Sequence, residues 1–387
     1  MSTPSADVIA ALEAPITRVT RRAEMFESDG VTPFLDDISM VVESGSVTAA
    51  YDSEARRTLS VSFHEEVTDK YTGATSIIPI GPDGIWYDKT IKIWRGVEWL
   101  DGDGELQSWE CPLGTFRIDN VRQRHHPKSV LQINGRDETK LALTSKFGTN
   151  AVFPAGTNVR DLIETVALNA GMTRFRLFNS PQATTVEIEA GGNDTRWKFM
   201  NDIATAYNLE LFMDTDGYLV SRPFHDPAVT APTFEFAVND NLASYDKLMN
   251  DSEIYNHVVV VGESAEKIPI AGEATNTAGG SPTSIARIGE RTKRIDSTLI
   301  EDADQARTLA ESYLAVAALE AFEIGFGAVV YPFLDVGVVV QFEDPYAASV
   351  QPTRFLLTNV TIPLNLGPMT TTGKRLQVLT NPQPIGA

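Results

Sequence analysis

The chain opens its β pattern near Gly45. Leu59, Val61 and Phe63 alternate with Ser60 and Ser62, the two-residue period of a half-buried strand, and Gly45–Ala50 precedes them across the polar stretch Tyr51–Arg57. The two runs predict an antiparallel pair. Ile85–Trp99 continues in the same manner around Gly96, between the turn signals Pro82-Asp-Gly84 and Asp101-Gly-Asp-Gly104. Phe116–Val121 and Ser129–Ile133 add two more strands, so the segment up to residue 150 reads as an all-β unit.

Past Pro154-Ala-Gly156 the period changes. Val159, Leu162, Ile163, Val166 and Ala167 fall at i, i+3, i+4, i+7 and i+8, which predicts a helix capped at Thr157 or Asn158 and ended by Gly171. A second helix starts at Asp194 or Thr195, buries Trp197, Met200, Ile203, Ala204 and Tyr207, and stops at Asn208. A hairpin, Leu209–Met213 with Tyr218–Val220, turns on Asp214-Thr-Asp-Gly217. Strands return with His257–Val261, Val336–Phe342, Phe355–Ile362 and Arg375–Leu379, and one helix at about 301–319 carries an Ala/Leu/Tyr stripe behind Glu301, Asp302 and Asp304. Residues 264–284, rich in Gly, Pro and Ser, read as one long exposed loop.

One echo links the two β-rich parts. Phe116-Arg-Ile-Asp-Asn-Val121 followed by Leu131-Gln-Ile133 is matched by Phe355-Leu-Leu-Thr-Asn-Val360 followed by Leu376-Gln-Val378, which points to a duplicated β-domain. The predicted class is therefore α+β, mainly β. It comprises an N-terminal arm (1–39), a first β-domain (40–150), a small α+β insert (151–226) and a second β-domain (227–387).

At 387 residues the chain is long for one core, and its 42% hydrophobic content suits a folded protein. Thirty-two Lys and Arg against 52 Asp and Glu leave a net charge of −20, which disfavours tight binding of nucleic acid or anionic lipid. Cys111 is the only cysteine, so no disulfide forms within the chain, and no secretory signal or apolar run of spanning length is present. No phosphate-binding or nucleophile-elbow motif occurs, and Gly325-Phe-Gly327 lacks a third glycine. His64, His125, His126, His225 and His257 lack metal-ligand spacing, and Asp214–Gly217 lacks the remaining ligands of a calcium loop. These readings name no catalytic residue, metal or cofactor, and leave binding and assembly as the default class.

The order of elements resembles the hub proteins of phage tail tips and baseplates, including the N-terminal part of siphophage tail-associated proteins. The likeness lies in Gly156-Thr-Asn-Val159 leading a helix, Trp197 to Ala204, the Asp214–Gly217 hairpin, Asn256–Gly262, the helix from Gln305 and Pro332–Gly337. A usual Gly-Asp is Gly337-Val338 here. Gly45–Thr48 with Arg56–Leu59 is similar to the opening hairpin of minor tail proteins of actinobacterial phages. The resemblance implies two barrels related to the tail-tube protein and a homotrimer on the tail axis. Implied partners are the distal tail protein or tube ring, the tape measure C-terminus, central fibre or receptor-binding tip proteins, and genomic DNA in transit. The implied place is the virion tail tip, assembled in the host cytoplasm without membrane anchoring. Because the chain ends at Ala387, soon after the last strand, a bare hub without a tip enzyme is expected.

The residues singled out follow from this. Phe116, Ile118, Asn120 and Val121 with Phe355, Leu357, Asn359 and Val360 mark the repeat, and Val159, Leu162, Ile163, Trp197, Ile203 and Ala204 form the insert core. Lys267, Pro269, Gly279 and Gly280 mark a loop ordered by neighbouring chains. Two rival readings remain: a carbohydrate-binding or wall-degrading tail protein using Trp86, Tyr87, Trp94, Trp99 and Trp109, and a hexameric tube or distal-tail ring subunit.

Overall fold

A computed structural model describes residues 4–14, 18–35, 42–64, 66–68, 75–125, 129–227, 229–238, 240–248, 254–263, 269–297, 299–300, 302–317, 323–343 and 353–376. Helix α1 (Ala6–Glu13) leads to β1 (Arg18–Phe26) and the short β2 (Pro33–Leu35). β3 (Val42–Ala50) and β4 (Arg57–His64) form the expected antiparallel pair, with Leu59, Val61 and Phe63 each at most 2% exposed. β5 (Glu66–Thr68) and β6 (Thr75–Ile77) pair with each other. β7 (Thr90–Leu100), β8 (Leu106–Arg124) and β9 (Val130–Asp137) run as a meander, the first turn closed by Asp101 accepting the amides of Asp103 and Glu105.

The next stretch holds α2 (Thr139–Thr144), β10 (Ala151–Phe153), α3 (Val159–Asn169), β11 (Phe175–Arg176), β12 (Ile188–Ala190), α4 (Arg196–Ala206), β13 (Leu209–Met213) and β14 (Leu219–Pro223). Local chemistry sets its boundaries. The Asn158 side chain accepts the amides of Arg160 and Asp161 at the start of α3, and Thr195 accepts that of Lys198 in α4. Gly171 (φ 87°) follows α3, and Asn208 ends α4 in the left-handed region (φ 56°). The two helices bury Val159, Leu162, Ile163, Val166, Trp197, Met200 and Ile203 in one cluster with Met213 and Leu219. At about 2 kcal/mol for each large apolar side chain, this burial rather than helix propensity holds the helices.

β15 (Phe234–Ala237), β16 (Leu242–Leu248), β17 (His257–Glu263), β18 (Pro269–Thr275), α5 (Ile285–Ile288), β19 (Thr292–Asp296), α6 (Ala303–Ala317), β20 (Glu323–Ala328), β21 (Val339–Glu343), β22 (Thr353–Pro363) and β23 (Met369–Leu376) complete the described chain. Eleven strands form one continuous path, β16-β20-β23-β22-β3-β4-β9-β8-β7-β1-β2, to which β21 and β15 add beside β22. One apolar cluster serves both halves, including Ile91, Phe116 and Ile133 with Phe326, Phe342 and Leu357.

Several expectations change. The protein is mainly β, as expected, but the described pairings close neither half into a barrel; the halves join edge to edge through β22 and β3. Within the segment expected as an N-terminal arm, β1 pairs with β7 over nine positions. Its inward Ala23 and Met25 are 1% exposed, whereas Arg21, Arg22 and Glu24 mask the alternation in sequence. Nor is 264–284 one exposed loop: Pro269–Thr275 is strand β18, paired along β17. Its Gly272 reads as loop punctuation but marks close packing, because a Cβ there would lie 2.3 Å from the Arg307 amide of α6. Beyond β18, Asn276, Ser281, Thr283 and Ser284 are buried, and Asn276 donates to Ser281 and Thr283. Within the segment assigned to a second barrel, β17, β18, β19 and α6 instead make a separate sheet and helix around Val258, Val260, Ala306 and Ala310.

Candidate functional site

The residues of the sequence echo occupy the same structural place. In β8, Phe116 pairs with Asp137, Ile118 with Gly135, Asn120 with Asn134 and Val121 with Ile133, the register slipping at Asp119. In β22, Phe355 pairs with Arg375, Leu357 with Gly373, Asn359 with Thr372 and Val360 with Thr371, slipping at Thr358. Each strand thus carries a one-residue bulge between the same two positions, opposite a glycine. A Cβ on Gly135 would come within 2.6 Å of the Arg117 carbonyl, and one on Gly373 within 3.2 Å of that of Leu356. This register corrects the second echo, because Ile133 corresponds to Thr371 and not to Val378. The shared signal is the glycine facing the bulge, while Leu376-Gln-Val378 runs beyond it, with Gln377 and Val378 outside the described residues.

The correspondence spreads across the sheet. The order β3-β4-β9-β8-β7-β1 is matched by β16-β20-β23-β22-β21-β15, with the strands in the same chain order. β3 slips on β4 between Val42 and Ser44, and β16 slips on β20 between Leu242 and Ser244. Ile91 faces Phe116 as Val340 faces Phe355. One pairing differs in sense: β1 is antiparallel to β7, and β15 is parallel to β21.

The six insert residues, Val159, Leu162, Ile163, Trp197, Ile203 and Ala204, lie together in one buried cluster. Lys267 lies outside the described residues. Pro269 opens β18, and Gly279 and Gly280 are exposed in the turn after it.

A buried charged junction, which the sequence reading missed, ties the two halves to the insert. Arg57, 2% exposed, donates from Nη1 to the Met213 carbonyl at 2.6 Å and from Nη2 to Asp335, while Asp137 accepts its backbone amide at 2.8 Å. Arg56 donates to the Val336 carbonyl at 2.8 Å and lies 4.1 Å over the Phe212 ring. Tyr51 and Arg222 both donate to Glu210, at 2.7 Å each. Burial would raise the Asp335 carboxyl, but Arg57 and Arg56 hold it below the ordinary range. At Asp137 burial dominates and raises the carboxyl. The adjacent arginines Arg56-Arg57 between two strand runs were the only signal in the sequence, and they gain meaning only when residues 213 and 335 arrive beside them.

The aromatics divide. Trp99 and Trp109 pack against the main core, and Trp94 lies under the Arg22 guanidinium at 3.6 Å. Trp86 and Tyr87 sit in the turn before β7, 40% and 52% exposed, with ring centroids 4.7 Å apart. Cys111 is buried, donates to the Pro332 carbonyl at 3.4 Å, and burial pushes its thiol up to about 12. His257 lies between Glu290 (2.8 Å) and Glu273 (3.3 Å). Among the described residues no helix is long and apolar enough to cross a membrane.

No family model matches the sequence, and no curated protein matches it. Solved structures do match the fold. A tail protein from Neisseria meningitidis superposes with TM-score 0.64 at 13% identity, covering 92% of this chain and 96% of that one. The 43 kDa tail protein of prophage MuSo2 from Shewanella oneidensis gives 0.60 at 11% identity, covering 92% and 98%. Prophage tail protein gp18 from Listeria monocytogenes gives 0.53 at 9% identity, covering 91% and 94%. The chain has the fold of phage tail proteins.

Proposed function

We propose that this chain is a structural, non-enzymatic hub of a phage tail tip or baseplate. Three copies would adapt a six-fold tail tube to a three-fold tip and form part of the channel through which DNA passes. The observation that carries the reading is the internal repeat: six strands per half, in matching sheet and chain order, with register slips at matching places in two strand pairs. A chain with two tube-like units presents six such units when three copies meet, while its single insert appears three times and lowers the symmetry. The fold shared with phage tail proteins supports the same reading.

In this assembly the hub contacts the distal tail protein or tube ring on one side and central fibre or receptor-binding proteins on the other. The tape measure C-terminus and then the genome lie in its channel. The net charge of −20 supports an acidic wall that DNA slides past without binding. The test is the mass and symmetry of the chain in assembled tails, by native mass measurement and cryo-EM. Three copies of 42.3 kDa around an acid-lined channel are expected. Six or twelve copies, or a channel lined mainly by Lys and Arg, refute the adaptor, and release of sugars or peptides from host cell wall by the pure protein would restore the enzymatic alternative.

A further inference from the structure

The charged junction leaves one of its arginines short of partners, and that arginine lines a cavity. Arg56 is 5% exposed, with its guanidinium 4.1 Å over the Phe212 ring. Its Nη2 donates to the Val336 carbonyl, while its buried Nε has no hydrogen-bond partner among the described residues. The charges that reach it are the carboxylates of Asp335 and Glu210 and the cations of Arg57 and Arg222. Asp335 is taken by Arg57, and Glu210 by Tyr51 and Arg222. Two carboxylates thus face three arginines, and the remaining positive charge sits where burial penalises it. The cavity beside it measures about 270 Å³ and opens between the Tyr51–Arg56 turn, α4 with β13, and α6. That is near the roughly 300 Å³ at which small-molecule sites begin. Phe212, Phe224 and Leu309 give it apolar walls, and the exposed Asp52 and Glu54 stand at its rim.

We propose that this cavity binds a small organic acid with one carboxylate and an apolar body, the carboxylate meeting the Arg56 guanidinium and the body lying against Phe212 and Leu309. Each part of the ligand answers a feature of the walls. A carboxylate supplies the counter-charge that Arg56 lacks, in a setting of low dielectric where a charge-assisted bond is strong. One negative charge is the limit, because Asp52 and Glu54 at the rim repel a second. The volume exceeds what an Asp or Glu side chain of a neighbouring chain fills, which favours a free molecule. Since the walls come from the first β-unit, the insert and the helix set into the second unit, an occupant braces all three and stabilises the chain in proportion to its concentration. Binding of this kind needs no second copy of the chain.

The test is binding of phenylacetate to the full chain, followed by calorimetry and thermal melting. Expected is saturable binding that raises the melting temperature and slows hydrogen exchange in residues 51–56, 209–213 and 309–316. Neutral phenylacetamide, and acetate without the apolar body, should each bind roughly tenfold more weakly or worse. Arg56→Lys should lose about tenfold in affinity or more, since an ammonium offers a point charge without the planar fork. Ser312→Phe, on α6 in the cavity wall, fills the space while leaving Arg56 in place and should abolish binding, so the test stands even where Arg56 variants fail to fold. No saturation by about 10 mM overturns the proposal, as does equal affinity for acid and amide, or binding that survives Ser312→Phe. A neighbouring chain's carboxylate seated on Arg56 in cryo-EM of assembled tails puts a partner in place of the free acid and overturns it too. Each of these failures leaves the hub reading standing.

Discussion

The two β-units follow one plan and spend their connections differently. Between β3 and β4 the first unit uses the turn Tyr51–Arg56, and at the equivalent point between β16 and β20 the second inserts β17, β18, β19 and α6. The bulged residue is Asp119 in one and Thr358 in the other: Asp119 accepts two bonds from Arg136 at 2.8 and 2.9 Å, while the Thr358 hydroxyl donates to the Thr372 carbonyl at 3.3 Å. What stays constant is strand order, register slips and the glycine facing the bulge. The backbone plan is thus the unit of repetition, and side chains change wherever that plan tolerates them.

The largest expected effect breaks the comparison at its short turn, where the first unit anchors the rest of the chain. Arg57→Ala removes the cation that meets the quarter-exposed Asp335 and the buried Met213 carbonyl, leaving that carbonyl without its donor, and should cost about 2–4 kcal/mol in chemical denaturation. A cost under about 1 kcal/mol would show that the junction is incidental. Asp335 also gives a sign for pH. Its carboxyl is held below the ordinary value of 3.8 when folded, so its contribution is complete above that value and falls as pH drops through the lower, folded one. Asp335→Asn should flatten the stability–pH curve below about pH 4.

The long insertion of the second unit gives the next effect. Gly272→Ala pushes a methyl toward the Arg307 amide and should cost about 1–3 kcal/mol, felt in β17, β18 and α6. Hydrogen exchange should accelerate there while β20, β22 and β23 stay protected; equal acceleration in both would mean that the insertion and the unit unfold as one body.

The paired glycines sharpen the comparison quantitatively. Gly135→Ala meets a carbonyl at 2.6 Å and Gly373→Ala one at 3.2 Å, so the first should cost about 2 kcal/mol and the second about 1 kcal/mol or less. The reverse order in denaturation midpoints would break the equivalence. Smallest is Asp119→Ala, which loses a partly exposed ion pair and should cost about 0.5–1 kcal/mol, against a few tenths for Thr358→Ala.

How much of this was legible depended on whether local chemistry announced itself. The helices around Leu162 and Trp197 were readable because caps and a 3.6-residue stripe coincide, and the hairpin at Gly217 because the turn needs its positive φ (80°). The echo at Phe116 and Phe355 was visible, but its continuation was misplaced: the conserved feature is Gly135 and Gly373, and sequence shows a glycine without showing what it faces. β1, which β2 covers only at Met25 and Phe26, and the edge strand β16 escaped because strands with an open side carry charges that erase the alternation. β18 escaped because its inward Gly272 and Ala274 are small where α6 packs, and small residues read as loop. The charged junction could not be foreseen, since Arg57, Met213 and Asp335 are far apart in the chain.

The pairing of β3 with β22 has a consequence for synthesis. Thr48 and Thr361 touch across 313 positions of sequence, so during translation the edge of β3 emerges long before the strand that covers it. At roughly 5–20 residues per second, that edge waits on the order of 15–60 s on the ribosome as an open template for strands of other nascent chains. The yield of correctly assembled protein is then set less by final stability than by what shields β3 during that interval, and slower translation should lower it.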